Sequence, residues 1–123
     1  METPRTALEA YKAIIDGLIS ETQQSLSSRL IREKGIYTKA PDYLKYNDLV
    51  KSLTTDQKEM LAEMFQHERE DAIHDVLAKL TWWIICHKVG LTFSDEPMPV
   101  DLSGMGLHGD YVGRKQGWEW PSD

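Results

Sequence analysis

A chain of 123 residues, 41% hydrophobic and 28% charged, is one domain by length and holds enough apolar material for a core. Fourteen Lys and Arg against twenty Asp and Glu leave a net charge of −6, with no basic run longer than two residues. That excludes a nucleic-acid partner, because phosphate recognition needs clustered cations. A single cysteine, Cys86, excludes an intrachain disulfide and fits a reducing cytoplasm. The opening METPRTALEAYK lacks the charged leader and apolar core of a signal peptide, and the longest apolar run, Trp82 to Cys86, is too short to span a membrane.

Taken in chain order, Thr3 and Pro4 form a helix start, with Thr as N-cap and Pro where its missing N–H costs nothing. Leu8, Tyr11, Ile15, Leu18, Thr22 and Leu26 then recur at helical spacing. The pattern predicts one helix over residues 4–33, stopped at Gly35, with SLSS (residues 25–28) as its weakest stretch. Residues 35–41 read as a connector. Pro41 opens a short helix, PDYLKYNDLVKSL, with Tyr43 or Leu44 and Leu49, Val50 and Leu53 facing inward. Thr54 with Gln57 three residues on is a capping box, and a helix should run from there to Val89, ended by Gly90. Its expected apolar face is Leu61, Phe65, Ala72, Ile73, Val76, Leu80, Trp83 and Ile84.

Two helices of about 45 and 52 Å at 1.5 Å per residue cannot cover their own apolar faces with one short helix, which predicts a homodimer. Residues 91–123 carry five of the eight glycines and three of the five prolines, so helix is not expected there. Six acids against two bases place −4 of the net charge in this stretch, yet its apolar content is too high for a disordered tail. It reads as a strap wrapped over the helices, with Trp118 and Trp120 as a core clamp or, alternatively, an aromatic hot spot for a partner. The expected fold is all-α: two long antiparallel helices, a short helix between them and a non-helical C-terminal strap, in a dimeric helical bundle.

The sharpest chemical pattern lies on the long helix. Glu63, His67, Glu70 and His74, spaced four, three and four, fall within about 60° on its wheel. Two carboxylates and two imidazoles on one face can hold a divalent transition metal or move protons. A solvated face built from i, i+4 pairs shows the same pattern. No Glu-x-x-His of the di-iron type and no His-Glu-x-x-His occurs. Glu68, Asp71 and Asp75 are a fragment of the magnesium-binding helix of all-α nucleotide pyrophosphohydrolases, without the upstream Glu-x-x-Glu pair.

The strap segment GLHGDYVGR offers His108, Asp110, Tyr111 and Arg114. Landing on His67 or His74, it would build a pocket of imidazoles and carboxylates; alternatively Asp110 and Arg114 pair with helix residues and hold the strap down. Cys86 reads as an inert buried thiol and His87 as a helix C-terminal charge. No cofactor is expected, with a divalent transition metal as the exception if the stripe is a site. The functional expectation is a non-catalytic module for a protein partner or small ligand. The alternative is a metal-binding protein or metal-dependent hydrolase built on the stripe with His108 and Asp110.

The stretches HEREDAIHDVLAKLTWW and GLHGDYVGRKQGWEWP resemble a group of small bacterial proteins with a long helix and a Trp-rich end, over residues 54–123. The resemblance implies a bacterial source and a single domain. It carries no activity and no site residues.

Overall fold

The structure, a computed structural model, describes residues 3–20 and 24–122. It is mostly helical. In order come α1 (Ala7–Ile19), α2 (Leu26–Lys34), a 3-10 turn (Pro41–Tyr43), α3 (Leu44–Lys51), α4 (Thr55–His87), β1 (Thr92–Phe93), β2 (Glu96–Pro97) and α5 (Gly106–Lys115). The described part splits into two compact units, residues 3–20 with 72–122, and residues 24–71; α4 contributes to both. Among the described residues no helix is long and apolar enough to cross a membrane.

In the first unit α1 starts later than expected. Thr6, not Thr3, is the N-cap, its hydroxyl accepting from the Glu9 amide at 3.1 Å. The helix ends at Ile19, so the single helix over 4–33 is replaced by two; Thr22, in the expected stripe, lies outside the described residues. The core holds Tyr11 and Ile15 of α1, Leu77 of α4, and Leu107 and Tyr111 of α5, flanked by Ile73, Leu80, Ile84, Val112 and Trp120. α4 ends at His87, with Lys88 rather than Gly90 in the left-handed region (φ +57). The Val89 amide closes the end on the Trp83 carbonyl at 3.4 Å.

The expected non-helical strap is also corrected. After a short hairpin pairing Thr92 with Pro97 and Phe93 with Glu96, the chain forms α5, a ten-residue helix containing Gly106, Gly109 and Gly113. Tertiary contact overrides propensity here. Gly106 has φ +86, and a Cβ there would lie 2.6 Å from the His108 ring and 2.9 Å from Thr81. Gly113 receives the Trp118 ring, 3.2 Å from where its Cβ would be. These glycines let helix and neighbours approach more closely than any side chain allows.

In the second unit Ser25 caps α2 by accepting from the Ser28 amide at 3.2 Å, where the SLSS stretch was expected to be weak. Gly35 ends α2 as expected, left-handed at φ +64. The Thr54–Gln57 box forms in full: the Thr54 amide donates to Gln57 Oε1 at 2.9 Å and the Gln57 amide to Thr54 Oγ1 at 3.1 Å. The core is Ile31, Val50 and Ala62 with Tyr37, Leu61 and Phe65 against it. Leu44 and Leu49, expected inside, are exposed. On α4 the inward residues are Ala62, Leu77 and Thr81; Ala72, Val76 and Trp83 of the expected apolar face are exposed. Cys86, expected to be buried, lies at the surface.

Candidate functional site

Glu63 and His67 are exposed on the α4 surface, Glu70 and His74 half-buried. Among the described residues no group of three or more His, Cys, Asp or Glu is placed to hold a metal ion. Asp75 Oδ1 lies 3.4 Å from His74 Nδ1 at the surface.

α5 does bring His108 to His74. Their rings meet edge to face with centroids 5.2 Å apart, and His108 Nδ1 lies 3.4 Å from Thr81 Oγ1. Thr81 is the anchor of this junction: it donates to the Leu77 carbonyl at 2.8 Å and accepts from the Leu107 amide at 2.9 Å, tying the start of α5 to α4.

Asp110 is fully buried and its oxygens are occupied by protein donors. Oδ2 accepts from the Tyr11 hydroxyl and from the Leu102 amide at 2.8 Å, and Oδ1 from the Ser103 amide at 2.8 Å. Among the described residues no cation takes part; three directed donors replace the lost water. Tyr11 Oη in turn accepts from the Asp101 amide at 3.3 Å. Burial first, then the bond to Asp110, push the Tyr11 hydroxyl well above its ordinary pKa. Tyr111 is buried in the same core.

Arg114 grips Asp16 of α1 through Nε at 2.7 Å and Nη2 at 3.3 Å, and its Nη1 donates to the Trp118 carbonyl at 2.6 Å. Trp120 Nε1 donates to the same carboxylate at 3.0 Å, and its ring lies edge-on to Tyr11, 5.9 Å away. Trp120 thus packs as a core clamp. Of the four segment residues proposed for a site, Asp110 and Arg114 have their chemistry taken up in fastening α5 to α1.

The second unit holds an opening with binding character, and none of the residues above lines it. Tyr37 from the connector, Tyr46, Leu49 and Val50 from α3, and Leu61 and Phe65 from α4 line an apolar cleft of about 270 Å³. Its rings brace one another: Tyr37 meets Tyr46 edge-on at 5.5 Å and Phe65 at 5.4 Å, and Tyr43 stacks on Tyr46 at 5.9 Å. Asn47 holds the connector in place, its Oδ1 accepting from the Tyr37 and Thr38 amides at 2.8 and 3.0 Å and its Nδ2 donating to the Thr38 carbonyl at 2.8 Å. Sequence reading missed this cleft because it placed Leu49 inside; the run of Tyr37, Tyr43 and Tyr46 around Pro41 was the available signal.

No curated protein and no solved structure matches the chain. A family model described as "Family of unknown function (DUF6547)" matches residues 4–122. Nearly the whole chain is covered, and the protein belongs to that family.

Proposed function

We propose that this protein is a non-catalytic binding module of the cytoplasm, working as a homodimer, with the aromatic cleft of residues 37–65 as its ligand site. The cleft is the observation that carries the reading. Apolar walls with few polar groups are what a small-molecule site offers, and its volume lies just below the usual range. A largely apolar molecule of up to three aromatic rings fits that size, stacking against Tyr37, Tyr46 and Phe65. Among the described residues the Tyr37 and Tyr46 hydroxyls make no hydrogen bond, which leaves them to engage a polar edge on the ligand. The dimer rests on the apolar surface that one chain leaves in water, with Trp82 at 44% and Ile85 at 68% exposure on α4.

Titration with 8-anilinonaphthalene-1-sulfonate tests the cleft. Saturable fluorescence enhancement is expected for the wild type and its loss in Leu49→Asp, a change at an exposed rim position that leaves the fold intact. Absence of saturable binding, or equal binding by the variant, overturns the reading.

A second reading rests on the meeting of His74 and His108. Two imidazoles from different helices are a partial ligand set for a transition metal, which would need further donors from outside the pair. Elemental analysis of untagged wild type beside His74→Ala/His108→Ala tests it: a near-stoichiometric metal lost in the variant supports the metal reading, and no metal in either sample removes it.

A further inference from the structure

The aromatic cleft borders a locally basic stretch of an acidic chain. Residues 36–51, the connector and α3, hold Lys39, Lys45 and Lys51 against Asp42 and Asp48, while the whole chain carries −6. Lys45 is the cation placed at the cleft itself. It is exposed and precedes Leu49 by four residues, so the two lie about 40° apart on the α3 wheel. Its Nζ sits 5.3 Å from the centroid of the Tyr46 ring. Leu49 and Tyr46 both line the cleft. Asp42 and Asp48 stand three residues to either side of Lys45, yet among the described residues its ammonium pairs with neither. The amine rests on an aromatic wall with its charge unmatched by an acid.

The other charges near the cleft are differently placed. Lys58 precedes Leu61 by three residues on α4, but its Nζ reaches Gly35 at the carbonyl end of α2, 3.6 Å from where a Cβ would stand. Asp48 lies about 100° from Leu49 on the α3 wheel. Glu68, three residues beyond Phe65, is the acid nearest the cleft-lining stripe of α4.

The geometry points to an aromatic carboxylate as the ligand of this cleft, its rings packed among Tyr37, Tyr46 and Phe65 and its charge met by Lys45. The inference rests on the cleft being the ligand site and names the ligand's class. An ionised carboxylate only accepts hydrogen bonds, which suits the donors at hand: the Lys45 ammonium and the Tyr37 and Tyr46 hydroxyls. The flexible four-carbon stem of Lys45 lets its ammonium leave the Tyr46 ring for a bound carboxylate without moving the backbone. An aromatic ammonium ion would meet Lys45 as a like charge and have only Glu68 to pair with.

Isothermal titration of the full chain with three naphthalene probes of one size tests this: 2-naphthoate, the neutral 2-naphthamide and the cationic 2-naphthylmethylammonium. At low salt the naphthoate is expected to bind about threefold more tightly than the amide, as one exposed ion pair allows, and the ammonium more weakly than the amide. Sodium chloride at about 1 M should erase the difference. Lys45→Met keeps an unbranched stem without the charge. It should bring the naphthoate down to the affinity of the amide and leave the amide unchanged. Equal affinities for naphthoate and amide in the wild type overturn the ligand class and keep the cleft. So does tighter binding of the ammonium probe, a naphthoate preference that survives in Lys45→Met, or binding of 8-anilinonaphthalene-1-sulfonate without binding of 2-naphthoate. Absence of saturable binding by all four probes overturns the cleft and this inference together.

Discussion

The two units solve one problem with different chemistry. Each has a connector whose backbone amides must be satisfied away from water, and each uses one buried polar side chain on the following helix. In the unit of residues 24–71 it is the neutral amide of Asn47, which serves Tyr37 and Thr38. In the other it is the carboxylate of Asp110, which serves Leu102 and Ser103 and also takes the Tyr11 hydroxyl from α1. The amide is both donor and acceptor and organises a local turn. The carboxylate accepts only, so it must draw donors from further away, and one of them is 99 residues distant in sequence. A buried acid with a tyrosine beside it need not be a catalytic pair. Here the full occupancy of Asp110 makes it a fastening.

Replacing these side chains breaks the comparison in order of size. Asp110→Ala strands two amides and a phenol in the core and should cost about 3 kcal/mol or more, read as a fall in the urea midpoint. Asn47→Ala strands as many groups, two amides and a carbonyl, but none as buried as the Tyr11 hydroxyl, and should cost about 2 kcal/mol by the same measurement, with ligand binding in the adjacent cleft weakened as well. A loss in Asn47→Ala as large as that in Asp110→Ala would erase the distinction.

Tyr11 sharpens the difference through pH. Its hydroxyl is raised above its ordinary value of 10.0 in the folded chain. Above that value the unfolded chain releases the proton and the folded one keeps it, so the unfolded state binds fewer protons and stability falls as pH rises. The contribution is whole below pH 10.0 and should be lost progressively above it, while Tyr11→Phe should start about 1 kcal/mol less stable and show a flatter decline. Equal slopes for the two proteins would contradict the assigned cause. Of the same small size, Gly113→Ala must displace the Trp118 ring and should cost about 1 kcal/mol, seen in the thermal midpoint.

Local signals were legible in the sequence and long-range ones were not. Thr54 and Gln57 specify their box with three residues of spacing, and Gly35 needs only its own freedom to stop α2. The break between α1 and α2 was visible as a serine-rich weakness, though not as a full stop. α5 was hidden because helix propensity counts Gly106 and Gly113 against a helix, while the gain from Thr81 and Trp118 pressing against them depends on residues elsewhere in the fold. The same holds for the candidate sites. The meeting of His108 with His74 was foreseeable only as one of two landings, and the pairing of Arg114 with Asp16 spans 98 residues. The cleft draws on three segments, so no single stretch announces it.

The proposed ligand site is the aromatic cleft and not the histidine-bearing face of α4. Backbone amide shifts in a proton–nitrogen correlation spectrum, followed while 8-anilinonaphthalene-1-sulfonate is added, test it most directly. Saturable shifts centred on Tyr37, Tyr46, Leu49, Val50, Leu61 and Phe65 are expected. Saturable shifts centred on His67, His74 and His108, with the cleft unmoved, would contradict it.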